Sequence, residues 1–280
     1  MRYVWYAIGI IFFCMPVYAQ AKVSPLVLSA RGVAIYGYKN NIETRLYQKN
    51  QNNLYPVASI TKLATAKVVE ETISDYTKIY TKSPITILHA TPVDTLAQTS
   101  FSRDDLLRAL LISSSNDAAN SFCTFIGYTK CMLQINTFLH DGGYTKTDFI
   151  NPHGLDPALP TDPLNRMTPY NTIHLVRDIY THDPFLASIL SEKESDIIDQ
   201  KTFLQTHIIS SNEINADPLY KDKIILSKTG RTNRAGENMV FVTQGGKKFD
   251  YIVVVFFGSR SRVADGEKIL DWLDVNDGEF

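Results

Sequence analysis

The chain has 280 residues, 44% of them hydrophobic and 20% charged, which is ordinary globular composition with enough apolar material for one large core or two lobes. Its formal net charge is −1, so no basic excess favours nucleic acid, and no block of like charge suggests a tail.

The first segment, MRYVWYAIGIIFFCMPVYAQA, carries one early charge, Arg2, and then an uncharged, mostly apolar run from Tyr3 to Met15. Val17 and Ala19 suit a small-residue cleavage site before Gln20, which predicts a cleaved signal peptide over residues 1–19 and an exported, periplasmic protein. The run is short for a membrane span of about 20 residues, which disfavours a retained anchor. Cys14 leaves with the signal. Cys123 and Cys131 remain, an even pair for which export permits a disulfide; two buried thiols are the equal alternative.

Two strands come next, GVAIYGY (32–38) and ETRLYQ (43–48), joined by a turn at Lys39, Asn40 and Asn41. A helix is predicted to begin near Ser59, with Leu63, Ala64 and Val68 in the core and Lys67 solvated. The middle of the chain reads as mostly helical. FSRDDLLRALLI (101–112) opens with a capping-box pattern, Ser102 to Asp105. In TPYNTIHLVRDIY (168–180), Thr168 caps a helix with Pro169 at its first position. FINPHGLDPALPTDPLN (149–165) is a long ordered loop in which His153 reads as structural. Strands return at 223–229, 237–243 and 251–258, QGGKK turns the chain between the last two, and a closing helix spans 263–273. Strands at both ends with helices between predict an α+β fold: one antiparallel sheet built from both termini, with a helical lobe inserted at roughly 82–205. Residues 20–280 read as a single domain.

Three segments carry chemistry. In YPVASITKLATA, Ser59 and Lys62 stand three apart, a spacing that places them on one helix face. A serine hydroxyl needs a base to take its proton, and a helix N-terminus with burial disfavours a charged lysine. Alone, the pair reads equally as a cap beside a surface lysine. In LLISSSNDAAN, a tight turn between two helices presents the hydroxyl of Ser114 and the carboxamide of Asn116 to one cleft, with Asp117 expected to cap the second helix. SSN recurs at 210–212, where a polar loop makes turn formation the better reading. In ILSKTGRTNRAG, Lys228, Thr229 and Gly230 end a strand whose edge suits an extended substrate; lysine and threonine suit a carboxylate, and glycine admits a close backbone.

Ser59-x-x-Lys62, Ser114-x-Asn116 and Lys228-Thr229-Gly230, in that order, resemble the penicillin-recognising serine enzymes. PVASITKLATA, LLISSSNDAA, FINPHGL and KTGRTNRAG narrow the resemblance to the low-molecular-mass D-alanyl-D-alanine carboxypeptidase/endopeptidase family, over about residues 30–258. The resemblance implies a serine β-lactamase/transpeptidase-like fold and hydrolysis of D-alanyl peptide bonds in peptidoglycan. Ser59 is the implied nucleophile, Lys62 its base, and Ser114 the proton relay to the departing amine. Asn116, Lys228, Thr229, Gly230 and Arg231 are the implied substrate-binding residues. Backbone N–H groups of Ser59 and Arg231 are the implied oxyanion hole. Peptidoglycan stem peptides are the implied partners and β-lactams the covalent inhibitors, with no cofactor, metal or nucleic acid.

The chain ends soon after ILDWLDVNDGEF, without the second β-rich domain and amphipathic anchor of many carboxypeptidases in the family, so it resembles the short endopeptidase branch. Carboxypeptidase trimming of pentapeptides is the alternative. A β-lactamase or a non-catalytic penicillin-binding sensor is the further one. Against the former, LPTDPLNRM holds Thr161 where a Glu-x-x-Leu-Asn pattern needs its acid; against the latter, Ser59 and Lys62 are both present. The six histidines show no His-Glu-x-x-His spacing for a metal.

Overall fold

A computed structural model describes residues 25–81, 99–145 and 148–277. The expected signal peptide, and residues 82–98 of the expected lobe, lie outside the described residues. In chain order the elements are β1 (Gly32–Lys39), β2 (Ile42–Lys49), β3 (Tyr55–Pro56), a 3-10 turn (Ala58–Thr61), α1 (Lys62–Thr72), β4 (Lys78–Tyr80), β5 (Ser100–Ser102), α2 (Arg103–Leu111), α3 (Asn116–Ile126), α4 (Tyr128–Asp141), β6 (Arg166–Met167), α5 (Pro169–His182), α6 (Pro184–Ser191), β7 (Glu194–Ile198), β8 (Gln205–Ile209), a second 3-10 turn (Glu213–Ala216), β9 (Ile224–Thr232), β10 (Gly236–Gln244), β11 (Tyr251–Ser259) and α7 (Arg262–Val275).

The central sheet has the order β2-β1-β11-β10-β9, with β1–β11, β1–β2, β10–β11 and β10–β9 all antiparallel. Strands from both ends of the chain therefore meet in the middle, and the fold is α+β. The period-2 alternation of a strand divides the core in two. Val33, Ile35, Phe241, Ile252, Val254 and Phe256 face Ile269, Leu270, Trp272 and Leu273 of α7. Ala34, Tyr36, Val240, Val242, Val253, Val255 and Phe257 face the other helices, with Leu63, Ala64 and Val68 of α1 in the same core. Burial on both faces explains why β11 reads YIVVVFFGS without polar alternation.

Side-chain caps start the helices as the sequence suggests in two cases. Ser102 Oγ accepts from Asp105 N at 3.1 Å and donates to its carboxylate at 2.8 Å; Thr168 Oγ1 accepts from Asn171 N at 3.0 Å. Two expectations are corrected. Ser115, not Asp117, caps α3, because its hydroxyl lies 3.1 Å from Ala118 N. Lys67 is not solvated: its Nζ is 2.7 Å from Asp183 Oδ2, a carboxylate that is 3% exposed and also caps α6 through Leu186 N. Periodicity marked Lys67 as off the core, but α6 arrives over that face. Cys123 and Cys131 form a disulfide, with Cα atoms 5.1 Å apart across the α3–α4 junction. Closing so short a loop contributes about 2–3 kcal/mol in the chain-entropy view.

Asp265 joins the two ends of the chain. It accepts from Ser29 N (3.0 Å), Ser29 Oγ (2.7 Å), Ala30 N (2.9 Å) and Ser259 Oγ (2.6 Å). Burial raises its pKa, yet these donors outweigh burial and hold it below the usual carboxylate value. Its contribution to stability is thus complete above about pH 4 and fades as the pH falls through the lower folded value. Asp265→Ala is expected to destabilise the protein by about 3 kcal/mol at pH 7, because several donors lose a charged acceptor. Urea titrations should show that gap narrowing at pH 3.

Candidate active site

Ser59 sits in the 3-10 turn before α1, and the α-helix begins at Lys62, about one turn later than the expected start near Ser59. Thr61 is the N-cap of α1 and makes no side-chain cap bond. The Ser59 hydroxyl is therefore not spent on capping. Lys62 opens α1 and is fully buried. Its Nζ lies 2.9 Å from Ser59 Oγ, 2.8 Å from Asn116 Oδ1 and 3.1 Å from His153 O. Two of these partners only accept hydrogen bonds; the serine hydroxyl alone can also donate.

The backbone around the pair is held from several sides. Ala58, next to the serine, has φ +49°, a conformation that costs an alanine about 1–2 kcal/mol. Val57 N donates to Asn165 O (3.0 Å), Asn165 Nδ2 to Thr61 Oγ1 (3.0 Å), Thr65 Oγ1 to Pro152 O (2.7 Å) and Asn238 Nδ2 to Pro56 O (2.9 Å). The 149–165 loop thus clamps the turn that carries Ser59. His153 is structural, as expected, with its Nδ1 accepting from Leu155 N at 3.1 Å; its carbonyl also reaches Lys62.

Ser114 lies in the turn between α2 and α3 with φ +64°, the left-handed conformation that reverses the chain there. Its Oγ is 2.8 Å from Lys228 Nζ, which also reaches Thr229 O at 3.2 Å. Lys228 is buried, and its pKa lies well below the ordinary lysine value, first because burial disfavours the charge and then because Lys62 and Arg262 add positive potential.

β9 is an edge strand, and Lys228, Thr229 and Gly230 lie on it side by side. A Cβ on Gly230 would stand 3.0 Å from both Ser59 N and Val57 O, so any larger residue would press the strand and the serine's backbone apart by a few tenths of an ångström. Arg231 stands apart: its side chain is 72% exposed and pairs with Glu237 across the ladder at 3.6 Å.

The structure therefore brings Ser59, Lys62 and Asn116 into one hydrogen-bonded group, Ser114, Lys228 and Thr229 into a second, and sets Gly230 against the first. This arrangement can offer a nucleophile beside a buried amine, a second hydroxyl–amine pair, and an edge strand beside them. Among the described residues no group of three His, Cys, Asp or Glu side chains could hold a metal. Sequence reasoning missed the clamps. Asn165, Asn238 and Asp156, whose carboxylate accepts from Thr232 Oγ1 (2.8 Å) and Arg234 N (3.0 Å), gave no signal beyond being polar residues near turns.

The sequence pattern of the D-alanyl-D-alanine carboxypeptidase family, peptidase family S11, matches residues 38–259. The chain is 24% identical to D-alanyl-D-alanine carboxypeptidase DacA of Haemophilus influenzae, over 90% of this chain but only 64% of that protein's length. It is 25% identical to a D-alanyl-D-alanine endopeptidase of Pseudomonas aeruginosa, over 82% of this chain and 73% of that protein. Its fold matches penicillin-binding protein D2 of Listeria monocytogenes, solved with ampicillin bound, with a TM-score of 0.74 at 21% identity, covering 90% of this chain and 99% of that one. The match over residues 38–259 takes in all three motif segments, and the chain belongs to the D-alanyl-D-alanine carboxypeptidase family, peptidase family S11.

Proposed function

We propose that the protein is an exported serine DD-peptidase that hydrolyses D-alanyl peptide bonds of peptidoglycan stem peptides through an acyl-enzyme on Ser59. The observation that carries this reading is the 2.9 Å contact between Ser59 Oγ and the buried amine of Lys62. Asn116 Oδ1 and His153 O accept two of the amine's hydrogen bonds, and in its neutral form the amine can turn its lone pair to Ser59. Lys62 accepts the hydroxyl proton as Ser59 Oγ attacks the D-alanyl carbonyl. Backbone N–H groups of Ser59 and Arg231 stabilise the oxyanion. The C–N bond then breaks, Ser114 passes a proton to the leaving amine, and water cleaves the ester. Asn116 holds the acyl-side peptide group. Lys228 and Thr229 receive a substrate carboxylate, whose charge favours protonation of Lys228. β-Lactams acylate the same serine.

The finer reading is an endopeptidase that cuts D-alanyl crosslinks, supported by the likeness to curated endopeptidases. Carboxypeptidase activity is the competing reading, supported by the likeness to the Haemophilus enzyme. Digestion of purified crosslinked muropeptides, read by mass spectrometry, separates them. Loss of dimers without release of D-alanine supports the endopeptidase, and release of D-alanine from monomeric pentapeptide supports the carboxypeptidase. A labelled penicillin should add covalently to the native protein and not to Ser59→Ala.

Arg231 is exposed beside the cleft and, among the described residues, its side chain makes a long 3.6 Å ion pair with Glu237 that an extra acidic group on the substrate can displace. Arg231→Ala is expected to raise KM for crosslinked dimers about three- to tenfold, the worth of one exposed charged contact, with little change in kcat. Unchanged dimer preference would remove Arg231 from recognition.

A further inference from the structure

The second SSN, at residues 210–212, is not a mere turn. Ser211 lies between β8 and the second 3-10 turn, and its Oγ is 2.6 Å from Thr229 Oγ1. Its backbone is pinned on both sides. Ser211 N donates to Ile112 O at 2.9 Å, two residues before Ser114, and the buried side chain of Asn212 donates from Nδ2 to Ser227 Oγ at 3.0 Å, on the same strand as Thr229. The segment is a clasp between the turn carrying Ser114 and the strand carrying Lys228 and Thr229.

We infer that Ser211 is a positioning residue that sets the Thr229 hydroxyl as a hydrogen-bond donor toward an acceptor on the substrate, a carboxylate above all; this rests on the proposed DD-peptidase reading. Thr229 has a single hydroxyl proton. It reaches the backbone acceptor Ser211 O at a long 3.4 Å, a bond that a ligand oxygen can displace at little cost. Either hydroxyl can donate over the short contact; with the Thr229 proton on Ser211 O or on a ligand oxygen, Ser211 Oγ–H donates into the Thr229 oxygen. That bond occupies a Thr229 lone pair, turns its proton outward and polarises it, so that the bond to an anion is strengthened.

The test measures acylation of the native protein, Ser211→Ala, Ser211→Thr, Thr229→Val and the double variant Ser211→Ala/Thr229→Val. The probes are a labelled penicillin with a free carboxylate and its methyl ester. Ser211→Ala is expected to weaken the non-covalent binding step for the free acid about three- to tenfold, with the limiting acylation rate nearly unchanged and the ester unaffected. Ser211→Thr should restore the native value, and the double variant should equal Thr229→Val alone. Equal loss on acid and ester, no loss at all, or losses that multiply in the double variant would overturn the inference while leaving the DD-peptidase reading in place. Failure of the native protein to be acylated by either probe would overturn both.

Discussion

Lys62→Met is expected to lower the rate of acylation by a labelled penicillin by on the order of 10²–10⁴, the usual worth of a positioned general base. Methionine matches the length of the lysine stem and fits the buried site, so the change isolates the amine. Lys62→Arg should not rescue the rate. Arginine keeps the positive charge but has no lone pair to take a proton at any working pH. If charge alone were the contribution of Lys62, the arginine variant would recover activity and the methionine variant would not. The removal also takes away the hydrogen bonds that Lys62 gives to Asn116 Oδ1 and His153 O, at about 1–3 kcal/mol. Thermal melts must therefore accompany the rates, and acylation should be compared where each variant is fully folded. A Lys62→Met protein that acylates within tenfold of the native rate would remove Lys62 as the base.

Gly154→Ala is expected to destabilise the protein by about 3 kcal/mol or more and to cut acylation even in the folded fraction. The residue has φ +82°, and a Cβ built there would lie 1.9 Å from Ala58 O and 2.7 Å from Thr61 Oγ1. The left-handed backbone costs an alanine about 1–2 kcal/mol, and the overlap adds about 1–3 kcal/mol for a forced shift. The two nearest atoms, Ala58 O and Ala58 C, are backbone, so no side-chain rotation relieves the overlap. The shift falls on the turn between Ala58 and Thr61, which carries Ser59. A displacement of about 1 Å at a nucleophile costs on the order of 10²-fold in rate. Urea titration reads the first effect, and burst-phase acylation of protein held well below its melting point reads the second. Native stability with native acylation would show that the 149–165 loop does not brace the serine.

The elements of this fold were legible where a pattern repeats locally. β1, β9, β10 and β11 announce themselves through β-branched and aromatic runs, and α2 and α5 through their caps. The β7–β8 hairpin was not legible: ESDII and QTHII are short, largely exposed and half polar, and they hold their shape through pairing rather than composition. Asp117 was misread for a related reason. Ser115 and Asp117 both suit a helix start, and only the backbone path decides which hydroxyl or carboxylate meets the free N–H.

The candidate site was legible in parts. Ser59 and Lys62 are three residues apart, so their meeting follows from local geometry, and the residue types alone suggest what such a pair does. What brings Lys62 to Asn116, 54 residues away, or Lys228 to Ser114, 114 residues away, is the packing of α1 against α3 and of the 3-10 turn before α1 against the edge strand β9. Tertiary packing likewise decided the burial of Lys228, the ion pair that α6 brings to Lys67 and the contact of Ser211 with Thr229. A sequence by itself determines which faces are apolar, where turns fall and which reactive side chains stand close along the chain. Whether a lysine is wet or dry, and which distant hydroxyl it touches, depends on the faces that come to lie over it, and that is settled only when the whole chain packs.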